Sequence, residues 1–325
     1  MRALITGATG FVGPYLAASL LRKGVEVIGL GIQDGNLSLQ SRMPPAVQLV
    51  EADIRDREAL RRVLCDSPPD QIYHLAAIAD VAVSTRNPAL TYDVNVGGSL
   101  SLFETLRELH VTPRIVNVST AHVYASPQSG EGELKEDSAL DLLTPYAISK
   151  YMVEVLAAHY VRAFGFQVVT VRPFNHIGPG QRADFVCSSF ARQIAQMKAG
   201  QIPAVLRTGN LQPERDFTDV RDVVEAYWIA ATQGVSGEVY NVASGQPCRM
   251  SEIVSWLCEL AGVEATIETD PAKLRASEPM RLYGSAAKLR GLGWTPRIPL
   301  KQSLHDILNY WSEIIGAPDA SGVQA

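Results

Sequence analysis

Tyr146 and Lys150 stand four residues apart in Tyr-Ala-Ile-Ser-Lys, a spacing that puts both side chains on one face of a helix. A tyrosine phenol has an unperturbed pKa of about 10, so near neutrality it is a poor base and a slow acid. An ammonium one turn away stabilises the phenolate and lowers that pKa, which makes the phenol a usable proton donor. A second grouping opens the chain. Gly7-Ala8-Thr9-Gly10-Phe11-Val12-Gly13 follows a short apolar run, Arg2 to Thr6, and leads into Phe11, Tyr15, Leu16, Ser19 and Leu20 at helical spacing. In such a turn Gly7 permits the tight bend, Gly10 lets the backbone approach a pyrophosphate, and Gly13 lets helix and strand pack closely. The helix N-terminus that follows offers free N–H groups and a positive dipole end to an anion. The glycine spacing is G-x-x-G-x-x-G with no G-K-[ST], which disfavours a Walker-type nucleotide loop. The third candidate group is the hydroxyl pair Ser119-Thr120, at the end of another apolar run beginning at Arg114.

The elements that must position these groups follow an alternating pattern. Strands are predicted over Arg2 to Thr6, Val25 to Leu30, Gln71 to Ala76, Arg114 to Ser119 and Val168 to Arg172. Helices are predicted after the glycine turn, over Thr91 to Leu109, and from about Pro145 to Phe164. Strands alternating with helices imply a parallel sheet covered on both faces, a doubly wound α/β fold of the Rossmann kind. After Pro173 the pattern breaks, with glycine and proline clustered in Asn175 to Gln181 and shorter elements beyond. A helix over Asp222 to Ala231 and a strand over Val239 to Val242 read as a return to the sheet. The expected division is a dinucleotide-binding domain of residues 1–174 plus about 212–242. A smaller mixed α/β substrate-binding lobe takes 175–211 plus 243–325. The 325 residues suit two lobes of about 150 each. Charged residues make up 19% and the net charge is −5, so no broad basic surface for nucleic acid is implied. The four cysteines are scattered with no C-x-x-C pair, and the histidines show no zinc-like spacing; no metal site is expected, and the thiols read as reduced in a cytoplasmic protein. No run approaches 18 apolar residues, so no membrane span is expected. The first strand starts within a few residues of Met1, leaving no room for a removable leader.

The glycine turn, Tyr146 and Lys150 resemble those of the extended short-chain dehydrogenases/reductases, and the resemblance runs over nearly the whole chain. Asp53-Ile54 resembles the pair that contacts adenine in that family. His74-Leu75-Ala76-Ala77 resembles the strand end beneath the cofactor, with Leu75, Ala76 and Ala77 against it. The resemblance implies an NAD(P)-dependent oxidoreductase in which Gly7, Gly10, Phe11, Val12, Gly13, Asp53, Ile54, Leu75, Ala76, Ala77, Tyr146 and Lys150 hold the dinucleotide. It places the substrate-binding hydroxyl four residues before the tyrosine of a Val-Tyr pair, here Val123-Tyr124, which selects Thr120 with Ser119 as the alternative. Asn95 is implied to be a structural or water-holding residue. The position that distinguishes the cofactors is Gly31, where an acid would bind a ribose 2′-hydroxyl. With none there, NADP is expected and NAD stays open.

Phe174-Asn175-His176-Ile177-Gly178-Pro179-Gly180-Gln181 resembles the stretch of nucleotide-sugar-modifying members in which the Asn binds the sugar diphosphate. Arg215 resembles their pyrophosphate- or ribose-binding arginine. Arg275 and Glu278 resemble the phosphate- and ribose-binding pair of enzymes acting on GDP-sugars, where the planar guanidinium suits bidentate phosphate binding. These segments are most similar to the GDP-4-dehydro-6-deoxy-D-mannose (GDP-6-deoxy-D-lyxo-4-hexulose) reductases. The sister GDP-mannose 4,6-dehydratases carry a Glu two residues after the catalytic Thr, where this chain has His122, with Ala121 before it. Ala125 departs from the glycine expected after the tyrosine. The implied reaction is reduction of a C4 keto group, with Tyr146 as proton donor and Thr120 steadying the oxygen. The product is GDP-D-rhamnose or its C4 epimer. A dehydratase or epimerase is the alternative within enzymes, and a non-catalytic NAD(P)-sensing protein the alternative outside them. The helices over 91–109 and 145–164 resemble the pair that forms a dimer interface in the family, so a homodimer is expected.

Overall fold

The computed structural model describes residues 1–32, 42–125, 133–274 and 280–316. The strands of the first half are β1 (Arg2–Thr6), β2 (Glu26–Gly31), β3 (Gln48–Glu51), β4 (Gln71–His74), β5 (Arg114–Val118) and β6 (Gln167–Pro173). Those of the second half are β7 (Asn175–Ile177), β8 (Val205–Thr208), β9 (Glu214–Asp219), β10 (Val239–Val242), β11 (Pro247–Arg249), β12 (Thr266–Thr269) and β13 (Arg281–Leu282). The helices are α1 (Gly13–Arg22), α2 (Arg57–Asp66), α3 (Val81–Arg86), α4 (Pro88–Tyr92), α5 (Gly98–Glu108), α6 (Pro145–Phe164), α7 (Val186–Lys198), α8 (Val220–Gln233), α9 (Met250–Ala261), α10 (Ala287–Gly291) and α11 (Leu300–Gly316).

One large sheet, ordered β10-β6-β5-β4-β1-β2-β3 and parallel throughout, bears out the doubly wound α/β expectation. Its strands other than the largely exposed edge strand β3 are buried on both faces, as their near-continuous apolar runs require. Ala3, Ile5 and Val116 pack on one face with Leu16 and Leu20 of α1 and Val223 and Tyr227 of α8. Leu4, Ile28, Ile72 and Ile115 pack on the other with Leu60 of α2, Phe103 of α5 and Tyr160 of α6. The strand order reverses between β1 and β4, and in open α/β sheets ligands bind in the crevice at such a switch point. The glycine turn after β1 and the residues after His74 both end there.

The long helix α6 shows why the sequence starts and stops where it does. Thr144 caps it, accepting the Ala147 N–H, and Pro145 opens it, lacking an N–H at a position where none is needed. Gly165 closes it at φ 70°, in the left-handed region. The helix expected over 91–109 is broken into α4, a π-turn at Asp93–Gly97, and α5. Residue periodicity cannot show such a turn, because it inserts a residue into an otherwise regular pattern.

The smaller lobe carries β11-β9-β13 with β7 alongside β9, a separate β8–β12 pair, and a core of its own around Phe190, Ile253, Leu257 and Ile307. The division between lobes differs from the one drawn at about residue 212. β9 belongs to the small sheet, and the chain rejoins the large one only with α8 and β10. Leu289 of α10 and Trp294 also pack into the core of the large sheet, not the smaller lobe. The Trp294 indole donates to the Asp222 carbonyl at 2.9 Å, and the Asp222 carboxylate accepts the Arg297 and Ile298 N–H groups. No described helix is long and apolar enough to cross a membrane.

Candidate active site

The glycine turn is a cradle built by close approach. A Cβ on Gly13 would lie 1.9 Å from the Ala8 carbonyl oxygen, and one on Gly7, already at φ +70°, 2.7 Å from the Ala76 nitrogen. Helix α1 begins at this turn with no side-chain cap and no acid in its first turn, so its N–H groups remain available to an anion. Phe11 lies edge-on to Tyr15 and stacks on His176 of β7, with centroids 6.1 Å apart. Val12, the N-cap, is partly buried against the core. At the end of β2, a Cβ on Gly31 would come within 2.6 Å of Thr9 Oγ1, so a side chain here, acidic or basic, would require Thr9 to move. Asp53 is clamped by Arg55 at 2.6 Å, and that guanidinium holds its carboxyl below the usual carboxylate range. Ile54 is buried against α5, where a Cβ on Gly98 would lie 2.4 Å from its Cγ2. Leu75 donates its N–H to the Thr6 carbonyl, Ala76 to the Thr6 hydroxyl, and Ala77 follows at the rim. The residues present therefore fit a dinucleotide: glycines where its backbone must come close, and an uncapped helix end for its phosphates.

Tyr146 and Lys150 are both buried on one face of α6. Burial raises the Tyr146 phenol above its ordinary value, while a hydrogen bond with Thr120 works the other way. The lowering expected from Lys150 is not among the influences on the phenol; desolvation dominates, opposed by Thr120. Burial also pulls the Lys150 ammonium down to about 8, against the charge of Glu154, which raises it. Thr120 is buried and its Oγ1 accepts the His122 N–H at 3.2 Å. His122 is exposed, its ring edge-on to Tyr146 with centroids 6.0 Å apart. Ser119 is committed elsewhere: its hydroxyl donates to Glu154 Oε1. Of the two hydroxyls, Thr120 is the one that meets Tyr146.

Beneath the pair runs a hydrogen-bonded chain that the sequence did not disclose. The Thr6 hydroxyl accepts from Ala76 and pairs with His74 Nδ1 at 2.8 Å, and His74 Nε2 pairs with Ser99 Oγ at 2.8 Å. Ser99 spends its proton on the Asn95 carbonyl, so His74 must donate from Nε2 and accept at Nδ1. Burial, with the Lys150 charge second, holds His74 neutral by dropping its pKa to about 3. Asn95, in the π-turn, donates to Ser149 Oγ at 2.9 Å and to the Ile78 carbonyl, and accepts the Ile78 N–H at 2.7 Å. It fastens the loop after β4 to α6, the structural role expected of it. A second missed group is the buried pair Glu154–Arg172. Its visible signals are a glutamate eight residues after Tyr146 and an arginine inside the apolar run of β6.

The substrate-side residues are gathered only in part. Asn175 of β7 is half-buried and donates to the Asp216 carbonyl at 3.2 Å, which ties β7 to β9. Arg215 sits on β9 between Cys248 of β11 and Leu282 of β13, and Nη1 donates to the Glu214 carbonyl at 2.9 Å. Arg275 and Glu278 lie outside the described residues.

A family model described as GDP-mannose 4,6 dehydratase matches residues 4–307. The GDP-6-deoxy-D-mannose reductase of Pseudomonas aeruginosa is 36% identical over 311 residues, covering 95% of this chain and 97% of the relative. The solved structure of RMD from Pseudomonas aeruginosa complexed with NADPH superposes with a TM-score of 0.86 at 34% identity, over 96% of this chain and 99% of that one. The UDP-glucose 4-epimerase of Thermus thermophilus, in complex with NAD, gives a TM-score of 0.85 at 30% identity, over 98% of this chain and all of that one. With the glycine cradle, the buried Tyr–Lys pair and matches of this extent, the chain belongs to the GDP-mannose 4,6 dehydratase family of extended short-chain dehydrogenases/reductases.

Proposed function

We propose that this protein reduces the C4 keto group of GDP-4-keto-6-deoxy-D-mannose with NADPH, giving GDP-D-rhamnose or its C4 epimer. The observation that carries the reading is the Thr120-Ala121-His122 loop against Tyr146. It offers one buried proton donor and no carboxylate at the two positions after Thr120. Reduction of a carbonyl needs one proton; dehydration needs a base for C5 and an acid for the departing oxygen as well. Glu154, the buried carboxylate on the same helix, is occupied by Arg172 and Ser119.

The turn from Gly7 to Gly13 and the start of α1 hold the pyrophosphate, Asp53 and Ile54 the adenine side, and Leu75 to Ala77 the floor. Lys150 holds the nicotinamide ribose. Gly31 presents no acid to repel a 2′-phosphate, which supports NADPH over NADH. A bound reduced dinucleotide supplies the hydride. Tyr146 then gives its phenolic proton to the C4 oxygen, and the Lys150 ammonium stabilises the phenolate left behind. Thr120 steadies the same oxygen by hydrogen bonding. Asn175, Arg215, Arg275 and Glu278 anchor the nucleotide diphosphate.

The test is to mix the protein with NADPH and GDP-4-keto-6-deoxymannose and follow absorbance loss and product NMR. NADPH consumption with appearance of the 4-hydroxy product is the expected result. The family model's description favours a second reading, a 4,6-dehydratase, and accumulation of the 4-keto sugar from GDP-mannose and NADP⁺ would replace the first reading with it. We also propose a homodimer formed through α5 and α6, where Leu100, Met152, Val155 and Phe164 leave large apolar side chains exposed.

A further inference from the structure

The crevice at the switch point lies between two lips, the glycine turn that leads into α1 and the loop after β4. The chain that follows β7 reaches both. On the α1 side the hold is multiple. The Tyr15 hydroxyl donates to the Pro179 carbonyl at 2.6 Å, Arg42 Nη1 donates to the same oxygen, and Phe11 stacks on His176. The backbone around Arg182 is pinned as well. The Gln181 carbonyl accepts the Ser188 hydroxyl of α7 at 2.6 Å, the buried Gln181 amide donates to the His176 carbonyl at 2.9 Å, and the Arg182 carbonyl accepts the Phe185 N–H at 3.1 Å.

On the β4 side the hold is a single side chain. Arg182 Nη2 lies 3.6 Å from Asp80 Oδ2, and its Nε lies 3.4 Å from Asp184 Oδ2. Asp80 is a fixed post. Its Oδ1 caps α3 by accepting the Ala82 and Val83 N–H groups at 2.7 and 3.0 Å, and Ile78, two residues earlier, is clamped by Asn95. Arg182 is the adjustable partner, its side chain 46% exposed and its two ion pairs longer than normal hydrogen bonds. Asp184 lies two residues on in the same segment, so pairing with it spans nothing. Arg182 thus stands between two carboxylates, one across the crevice and one beside it.

We propose that Arg182 is a bar across the mouth of the dinucleotide crevice. Paired with Asp80 it closes the crevice, and turned to Asp184 alone it opens it, so that it sets the rate at which the dinucleotide enters and leaves. The proposal deepens the reading above and rests on it, because a reductase that spends NADPH must release NADP⁺ and admit a fresh molecule in every cycle. Exit of this kind governs turnover in many enzymes. An exposed ion pair contributes little to stability and is screened by salt. That makes it a poor brace but a suitable bar, since it opens without disturbing the fold. The pinned backbone leaves the side chain as the moving part.

The experiment loads the intact protein with NADPH, chases it with excess NADP⁺ and follows the loss of NADPH fluorescence by stopped flow, with entry measured by direct mixing. Asp80→Asn keeps the capping oxygen and removes the charge, and Arg182→Gln removes the bar. Each is expected to quicken release about 2- to 5-fold at low salt, and the double variant to do no more than either alone. Entry is expected to quicken with exit, leaving the dissociation constant nearly unchanged. The gap between parent and variants is expected to close at about 1 M salt, where the Debye length is about 3 Å. Asp184→Asn is expected to leave release at the parent rate or below. Unchanged or slower release in Asp80→Asn and Arg182→Gln, or equal acceleration by Asp184→Asn, overturns the proposal. Weaker binding with unchanged entry also overturns it, marking Arg182 as a direct contact of the dinucleotide. A parent protein that takes up no NADPH overturns the cofactor reading together with the bar. No sugar enters the measurement, so the substrate reading stands or falls separately.

Discussion

At the scale of single residues, the proposed chemistry rests on one phenol. Tyr146→Phe is expected to lower turnover about 100-fold or more, while NADPH binding, read by fluorescence titration, persists. Near-full turnover would put the proton donor elsewhere. Lys150 is an ammonium below about 8 and neutral above, so activity is expected to hold through neutrality and to fall as pH rises through that value. A rate profile flat to about pH 10 would show that its charge is not needed. The loop after Thr120 carries the third residue-scale prediction. His122→Glu supplies the carboxylate that dehydration lacks, and slow formation of the 4-keto-6-deoxy sugar from GDP-mannose with NADP⁺, watched by NMR, is expected in the variant and not in the parent. The turn from Gly7 to Gly13 and the Tyr146/Lys150 pair were legible from sequence because their geometry is local: a tight bend and one helical step. The choice between Ser119 and Thr120 was not settled by residue type. It is decided by Glu154, which reaches Ser119 from another element, and strand and helix patterns carry no information about which side chains meet across them.

At the scale of elements, alternation of strands and helices gave the large sheet, and the short second-half elements were harder to assign. β9 is polar at every position but Phe217 and neighbours a helix of the first lobe, yet it pairs with β7, β11 and β13. Its Asp216 explains part of that choice: the buried carboxylate accepts the N–H groups of Ser244 and Gly245 and the Ser244 hydroxyl, binding β9 to the turn before β11. The π-turn at Asp93–Gly97 lay beyond periodicity for the reason given above, although it is what aims Asn95 at Ser149. The junction of β1 and α1 is the most tightly specified. Gly13→Ala forces a methyl against the Ala8 carbonyl, and a loss of about 1–3 kcal/mol in stability together with weakened dinucleotide binding is expected. Thermal melts with and without NADPH check it: a variant whose melting and cofactor response match the parent would mean the turn relaxes freely.

At the scale of the whole molecule, the exposed apolar residues of α5 and α6 are expected to bury against a second copy. Light scattering at micromolar concentration is expected to return twice the chain mass, and Val155→Glu, with its like-charge pairing across a two-fold axis, to return the monomer. A monomeric parent protein would remove the dimer. The two lobes are interleaved in the chain: it leaves the large sheet after β6, returns for α8 and β10, and returns again for α10 and Trp294. The seventh strand is therefore supplied by a segment that follows the first excursion into the small lobe. A fragment cut at residue 174 would retain the glycine turn, Thr120, Tyr146 and Lys150, the groups to which the proposed reaction step is assigned, and yet lack β10. Its β6, Gln-Val-Val-Thr-Val-Arg-Pro, would become a bare edge with a row of unpaired amides and carbonyls facing water. Such an edge templates sheet growth between molecules. The fragment is expected to recruit further copies and come out of solution, so the late return of the chain works as a seal on the sheet that no trimming to the catalytic half can preserve.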